Sequence, residues 1–476
     1  MISVLLNRNQ LTLLVIFFAC ILSRLLSSIY YIEDIDSLRF ALSLYEYSIL
    51  NLQPHFPGYP VFCFIVKSIY FFTANMGVAF SLVGGISTFV IIYFCLLLAN
   101  TDIKSTEGAF LAFIIFFNPM LWIMGNRYMP DLMGFAIALS VLYIFILPYS
   151  DKNRLLFGYF LSGLLCGTRL SYMPLITIPF IKNLQEGNGI KKISFFILGL
   201  SIWLLPLIFV EGFNNLITSA KKQTIGHFTD FGGTAITDTD WTSRFFYFTE
   251  SIWADGLGGF WLGRSWQTAF FSIFLLSLFA IGIYTIIKNW KHEKYLRRIV
   301  RSVALYFVWI LVFQNVIYKS RHVLPILLIF FIILSIGLEF IINKKSKTLN
   351  VIAFIFCISL VQITGNLVLD HKKPTAVSQL KDNILLNNNY STVISTPLIN
   401  YYLESHQVKS RFINATSQQQ VDNFLENSFD ENVLIIGNYT ALFKEKYSVK
   451  REKTFYHNPY INRMWAKIET FSLQLN

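Results

Sequence analysis

Residues 59–76 read YPVFCFIVKSIYFFTANM, an apolar run of about 18 residues interrupted by Lys67. Whether it crosses a membrane decides the side on which every later loop lies. A bilayer-spanning helix needs about 20 apolar residues, so length alone leaves the point open, and the flanking chain has to decide it. Span-length apolar runs lie at 77–100, 108–126, 132–150, 194–210, 265–287, 302–318 and 349–369, with a first at 11–28 and another at 323–342. The run 155–181 carries Arg169 and Pro174 near its middle, so it reads as a hairpin of two short spans with GTRLSYMP at the bend. If 59–76 does not span, the basic loops at Lys104, Lys152/Arg154, Lys182/Lys191/Lys192, 288–301 (KNWKHEKYLRRIVR) and 343–347 (NKKSK) all share the side of the N-terminus. That satisfies the positive-inside rule. If it spans, the two most basic loops land outside. We therefore read 59–76 as an interfacial helix on the outer face, with Lys67 snorkelling.

The composition agrees. Of 476 residues, 54% are apolar, 17% aromatic and 14% charged, against roughly 25% charged in a soluble domain. This describes an all-α polytopic membrane protein of about eleven transmembrane helices plus outer juxtamembrane helices, and excludes a single-span receptor or a secreted domain. The net charge of +12 belongs to loops held on the cytoplasmic side; no nucleic-acid partner is expected. The five cysteines sit in apolar runs without CxxC spacing and read as core. The N-terminal apolar stretch lacks a small-x-small cleavage site and reads as a retained first helix.

Eleven spans put the N-terminus in the cytoplasm and the C-terminus outside. The expected division is a membrane domain over 1–369, with outer loops 28–76 and 211–264, followed by a small extracytoplasmic α/β domain over 370–476. That tail is rich in Asn, Ser, Gln and Lys and carries the strand-like runs YSTVIST and NVLIIGN. Its Asn-x-Ser/Thr triplets at Asn389, Asn414 and Asn438 are expected by chance in such a segment.

Outer loops hold the unusual residues. YIEDIDSLRFALSLYEY clusters Glu33, Asp34 and Asp36 next to a membrane exit. Asp36 reads as the N-cap of a short helix starting at Ser37, with Arg39 as its partner; a carboxylate fixed there also suits general-base work on a hydroxyl. LQPHFPGYPVF follows, a stiff turn in which His55 either meets a phosphate oxygen or bonds the backbone, and in which Tyr59 is a substrate-contact candidate. In GNRYMPDLMG, Arg127 and Asp131 are four residues apart, either as a salt bridge at a helix start or with Asp131 as a second carboxylate facing the first loop. Arg169, and Lys319 with Arg321 beside His322 in YKSRHVLP, place cations at outer helix ends against the positive-inside trend, which suits a phosphate or diphosphate headgroup. Arg24, inside the first span, reaches towards the interface. The stretch 253–266, WADGLGGFWLGRSW, reads either as a flexible binding flap or as a re-entrant turn.

An acidic first outer loop with DSLRFAL, then PHFPGYP, then RYMPD after the third span, resembles the GT-C superfamily of polyprenyl-phosphate-sugar-dependent glycosyltransferases. The likeness is nearest to the glycosyltransferase family 39-like branch, which includes protein O-mannosyltransferases and the lipid A aminoarabinose transferase. It covers the membrane region through Arg321 in layout, with the specific words confined to about fifty residues. The pattern at Asp36, Arg39 and Phe40 is similar to the family's Asp-Glu-x-Arg-Tyr, so the resemblance gives Asp36 the catalytic carboxylate role, while Ser37 stands in place of the second acid. Asp131 resembles the family's second acidic residue, and the helix after PHFPGYP its juxtamembrane helix. None of this covers the tail.

The resulting expectation is an inverting glycosyltransferase of a cell inner membrane, acting on its outer face. The donor is a polyprenyl-phosphate-linked sugar, and the acceptor a glycan, lipid or protein hydroxyl. Asp36 is the expected base, Asp131 positions donor or acceptor, and the cations at 127, 169, 319 and 321 stabilise the leaving phosphate, all converging on one headgroup. No cofactor is required by this reading; a divalent metal is left open. The competing readings are a flippase or transporter for a lipid-linked or anionic substrate, and a polysaccharide polymerase or ligase.

Overall fold

The structure is a computed structural model describing residues 8–146, 152–230, 232, 234–237, 240–291, 293–315, 319–387, 390–427, 432–443 and 447–475. In chain order the first helices are α1 (Arg8–Leu26), α2 (Ile35–Leu42), α3 (Pro60–Thr73), α4 (Met76–Leu98), α5 (Thr106–Phe116), α6 (Pro119–Asn126), α7 (Asp131–Ile146) and α8 (Lys152–Arg169). They are followed by α9 (Met173–Gln185), α10 (Gly189–Glu211), α11 (Phe213–Thr229), α12 (Trp241–Glu250), α13 (Trp266–Asn289), α14 (Lys294–Phe313), α15 (Leu327–Asn343) and α16 (Lys347–His371). The tail adds α17 (Ala376–Asn387), β1 (Thr392–Ser395), α18 (Pro397–Ser405), β2 (Arg411–Asn414), α19 (Gln418–Asn427), β3 (Val433–Ile436), β4 (Tyr447–Tyr456) and β5 (Lys467–Leu475). The chain divides into two compact units, one of Met1–Ile29 with Leu42–Leu369, the other of Tyr30–Ala41 with Asp370–Asn476.

In the first unit, every apolar run expected to span is helical over most of its described residues; the ends of 132–150 and 302–318 lie outside them. Seven helical stretches are long and apolar enough to cross a membrane, or eight if α5 and α6, bent by 49°, make one span. The chain is a multi-pass membrane protein. One of the seven, Lys152–Gln185, doubles back: the Tyr159 hydroxyl donates to the Phe180 carbonyl at 2.8 Å, whereas a straight helix would hold these residues about 30 Å apart. A 3-10 turn at Leu170–Tyr172 makes the reversal, at the GTRLSYMP bend. The helix α14 opens with Lys294, Arg297, Arg298 and Arg301 before its apolar half.

The deciding segment 59–76 forms α3, 14 residues, or about 21 Å, short of a bilayer's roughly 30 Å hydrocarbon core. It buries Phe62, Cys63 and Val66 and leaves Phe64, Phe71 and Phe72 73–85% exposed. The outward face is thus as apolar as the inward one, while the Lys67 amine reaches the Tyr45 carbonyl at 3.5 Å. Helices α8 and α10 cross closely where glycines face carbonyls: a Cβ on Gly199 would lie 2.1 Å from the Phe160 oxygen and one on Gly163 2.5 Å from that of Phe196. Small residues at such crossings permit backbone contact where water supplies no hydrophobic drive.

The second unit holds a five-stranded sheet of order β2-β1-β3-β5-β4. The pairs β1–β2 and β1–β3 are parallel, and β3–β5 and β4–β5 antiparallel. YSTVIST and NVLIIGN supply β1 and β3, buried at every position. The hairpin β4–β5 escaped the sequence reading because its strands are charged (YSVKREKTFY) and show little apolar alternation. Ile394, Ile413, Phe424, Val433, Ile435 and Leu473 form the core beneath. Asn389 lies outside the described residues.

Candidate functional site

The acidic loop belongs to the second unit, and three of its acids have three different employments. Helix α2 starts at Ile35, not Ser37. Its cap is Asp34, not Asp36: the Asp34 carbonyl accepts the Leu38 N–H at 2.9 Å and its Oδ1 accepts the Ser37 N–H at 2.8 Å. Asp34 thus takes the role that sequence had suggested for Asp36, because the helix begins two residues earlier. The other Asp34 oxygen accepts from Asn462 Nδ2 at 2.9 Å. Glu33 Oε1 lies 2.8 Å from His371 Nε2, and its carbonyl accepts the Thr375 hydroxyl at 2.9 Å. The Tyr402 hydroxyl donates to the Ile32 carbonyl at 2.6 Å, and that of Tyr31 to the His371 carbonyl at 2.7 Å. Asp36, in the first turn of α2 and only 3% exposed, instead meets Arg39 one turn on at 3.6 Å. Glu33 and Asp34 therefore fasten the loop to the tail, and Asp36 is oriented by its helix. His371, Tyr402 and Asn462 carry no local motif and sit 338 to 428 residues from their partners, so nothing in the sequence singled them out.

The second cluster lies in the first unit. Asp131 opens α7, Arg169 ends α8 and Arg321 lies on the 3-10 turn Ser320–Ile326. Arg169 Nη2 stands 2.8 Å from Asp131 Oδ1 and Arg321 Nε 3.7 Å from the same oxygen. The ion pair expected between Arg127 and Asp131 is thus replaced by pairs with Arg169 and Arg321. Arg127 ends α6 in an extended conformation, while the α8–α9 reversal carries Arg169 to the start of α7. Gly134 makes the approach possible, since a Cβ there would lie 2.4 Å from Arg169 Cβ. All three charged groups are buried, and neither Asp131 oxygen has a well-aligned hydrogen bond among the described residues. The contacts are ionic rather than directional, and two guanidiniums face one carboxylate.

Tyrosines and His55 extend this cluster. Arg169 Nη1 donates to the Tyr59 hydroxyl at 3.2 Å, and that hydroxyl lies 3.1 Å from His55 Nε2. His55 is therefore bonded to a side chain. Tyr59 has φ 47°, a left-handed conformation uncommon outside glycine, which fixes its direction at the start of α3. The Arg169 guanidinium also lies 5.8 Å from the Tyr172 ring, which packs edge-on against Tyr306 at 5.8 Å. The Tyr306 hydroxyl donates to the His322 carbonyl at 3.0 Å, fixing the turn that presents Arg321. Tyr172 and Tyr306 were missed because apolar runs with single tyrosines look like lipid-facing helix. Lys319 begins this turn.

Other expectations change. Arg24 does not reach the interface: it is fully buried, donates to the Phe116 carbonyl at 3.1 Å and stacks 4.1 Å from the Trp122 ring. The 253–266 stretch is bonded to itself rather than a loose flap. Its start is a π-helix, Ser251–Gly256, and Arg264 Nη1 donates to the carbonyls of Ala254 at 2.6 Å and Gly259 at 3.1 Å. That π-helix carries the buried Asp255, which the sequence reading passed over; π-turns recur at functional sites. Among the described residues no group of three His, Cys, Asp or Glu is placed to hold a metal ion.

These features define a multi-pass membrane protein carrying two carboxylate clusters. No family profile and no curated protein matches the chain by sequence. Among solved structures, the chain is similar to ArnT from Cupriavidus metallidurans bound to undecaprenyl phosphate, with a TM-score of 0.55 and 9% identity over 96% of this chain and 97% of that one. It is also similar to ArnT in the apo state, with a TM-score of 0.51, 10% identity and the same coverage. The Archaeoglobus fulgidus oligosaccharyltransferase aligns with a TM-score of 0.47 and 12% identity over 92% of this chain and 69% of that one.

Proposed function

We propose that the chain is a glycosyltransferase that moves a sugar from a polyprenyl-phosphate carrier to an acceptor hydroxyl on the outer face of a cell inner membrane, through a bundle of eleven crossings. The observation that carries this is the buried Asp131–Arg169–Arg321 cluster, in which two guanidiniums, the group best suited to phosphate, are held against one carboxylate. The shared fold supports it, ArnT having been solved with undecaprenyl phosphate. In this reading the acceptor oxygen attacks the anomeric carbon, the bond from that carbon to the phosphate oxygen breaks, and its electron pair leaves with the lipid phosphate. A single displacement inverts the configuration. Asp36 accepts the hydroxyl proton, and Arg169 and Arg321 hold the departing charge, a fixed electrostatic environment being the main source of catalysis in such transfers. His55 and Tyr59 keep Arg169 aimed, Asp131 sets the spacing of the two guanidiniums, and Arg127, Lys319 and His322 line the donor's approach. Glu33, Asp34 and Arg39 hold Asp36 in place. The acceptor is a glycan, lipid or protein hydroxyl.

The test is transfer from polyprenyl-phosphate sugars into membrane extract by purified protein. Asp36→Asn should lower the rate by about 10²–10⁴-fold with melting temperature unchanged. Equal transfer by both forms removes the base, and movement of the lipid across the bilayer without bond cleavage favours a flippase.

A further inference from the structure

At the far end of α7, α8 and α9 from Asp131, about 24 Å away by helix length, the first unit forms an open cavity of about 860 Å³. Four elements bring cations to its wall: Lys152 from the start of α8, Lys182 from the end of α9, Lys191 and Lys192 from the start of α10, and Arg298 and Arg301 from α14. Glu186 is the single carboxylate among the lining residues. Two of the cations build the wall. Lys192, 7% exposed, donates to the carbonyls of Asn183 and Glu186, and Arg298 donates to that of Ile146, so each caps the C-terminal end of a helix. The remaining four, Lys152, Lys182, Lys191 and Arg301, are exposed and surround the volume without a carboxylate partner among the described residues. The Ser302 hydroxyl, in a residue 1% exposed, also lines the cavity and has no hydrogen-bond partner among the described residues.

Cations that merely orient a membrane protein work from loops spread through solvent. Here they are drawn from four helices into one concave volume of the size that holds a small ligand, where their mutual repulsion is relieved by an anion. We infer that this cavity is a second binding site, distinct from the Asp131 cluster, for a phosphate mono- or diester. The phosphate sits among Lys152, Lys182, Lys191 and Arg301, with Ser302 as a neutral donor. Charge-assisted bonds from amines and a guanidinium are the standard recognition of that group. The group arrives either on an anionic phospholipid, as basic pockets between membrane helices accept, or on a soluble phosphate; the exposed Ile178 in the lining suits the lipid.

The experiment reconstitutes the full chain in nanodiscs of phosphatidylcholine alone or with phosphatidylglycerol, and follows thermal unfolding and lipid retention by native mass spectrometry. Phosphatidylglycerol should raise the melting temperature and remain bound. In Lys191→Gln/Arg301→Gln, whose altered side chains are exposed, its affinity should fall at least tenfold with melting in phosphatidylcholine unchanged. Lys344→Gln/Lys345→Gln removes the same charge elsewhere and should leave the response intact. Inorganic phosphate or glycerol 3-phosphate reproducing the rise in phosphatidylcholine discs, again only with Lys191 and Arg301 present, would support the site and identify the anion as soluble. No rise with any of the three probes, or equal losses in both double variants, would overturn the proposal.

Discussion

At the Asp131 end of α7 and α8, one carboxylate stands between two guanidiniums and all three are buried; at the Ile146 end, six cations ring a cavity with Glu186 as the single carboxylate. The same helices thus carry charge in two ways. Buried charges need partners because desolvation is costly, so the first end sets its guanidiniums against a carboxylate and holds them with tyrosines. Exposed lysines are solvated, so the second end tolerates an excess that no neighbouring acid offsets. The difference teaches where to look for structural dependence and where for ligand dependence.

Breaking the first end should have the largest effect. Asp131→Asn takes the shared carboxylate away from two buried guanidiniums and should cost about 3–5 kcal/mol, read as a fall in thermal unfolding temperature. The double variant Asp131→Leu/Arg169→Met should recover only part of that stability, since Arg321 still loses the carboxylate, while remaining inactive. If the single variant melts normally, the cluster is not compensated as described. Next comes Gly134→Ala. Its Cβ would lie 2.4 Å from that of Arg169, and the crowding should cost about 1–3 kcal/mol, with loss of donor affinity as Arg169 is displaced.

A smaller effect lies outside both ends. Burial holds the His406 imidazole below its ordinary range, with the Tyr402 carbonyl accepting its Nδ1–H at 2.7 Å as a partial offset. Because the folded pKa is lowered, the unfolded chain takes up a proton that the folded chain refuses. Stability from this residue is therefore present above roughly pH 6.5 and declines as pH falls below it. Hydrogen-exchange protection factors in α18, taken relative to the intrinsic rate at each pH, should fall between pH 7 and 5.5, and His406→Gln should flatten that slope. The least effect is expected at the cavity: Lys182→Gln should change unfolding free energy by no more than about 0.5 kcal/mol in phosphatidylcholine. A loss comparable to that of Asp131→Asn would erase the distinction between the two ends.

Much of this was legible in the residues. Apolar run length located the helices, and the distribution of Lys and Arg read 59–76 as an interfacial helix where length left the point open, because burying a peptide in lipid demands a long apolar helix and tolerates few charges. YSTVIST and NVLIIGN announced two strands for the same reason of local patterning. Asp36, Asp131, Arg169 and Arg321 stood out as charges where the membrane makes charge expensive. What the chain did not announce is partnership. That Asp131 meets Arg169 rather than Arg127, that Asp34 and not Asp36 caps α2, and that Glu33 is held by His371 depend on a helical reversal and on contacts between segments hundreds of residues apart. Pairings of that kind are set by how finished helices pack, and local sequence carries no record of them.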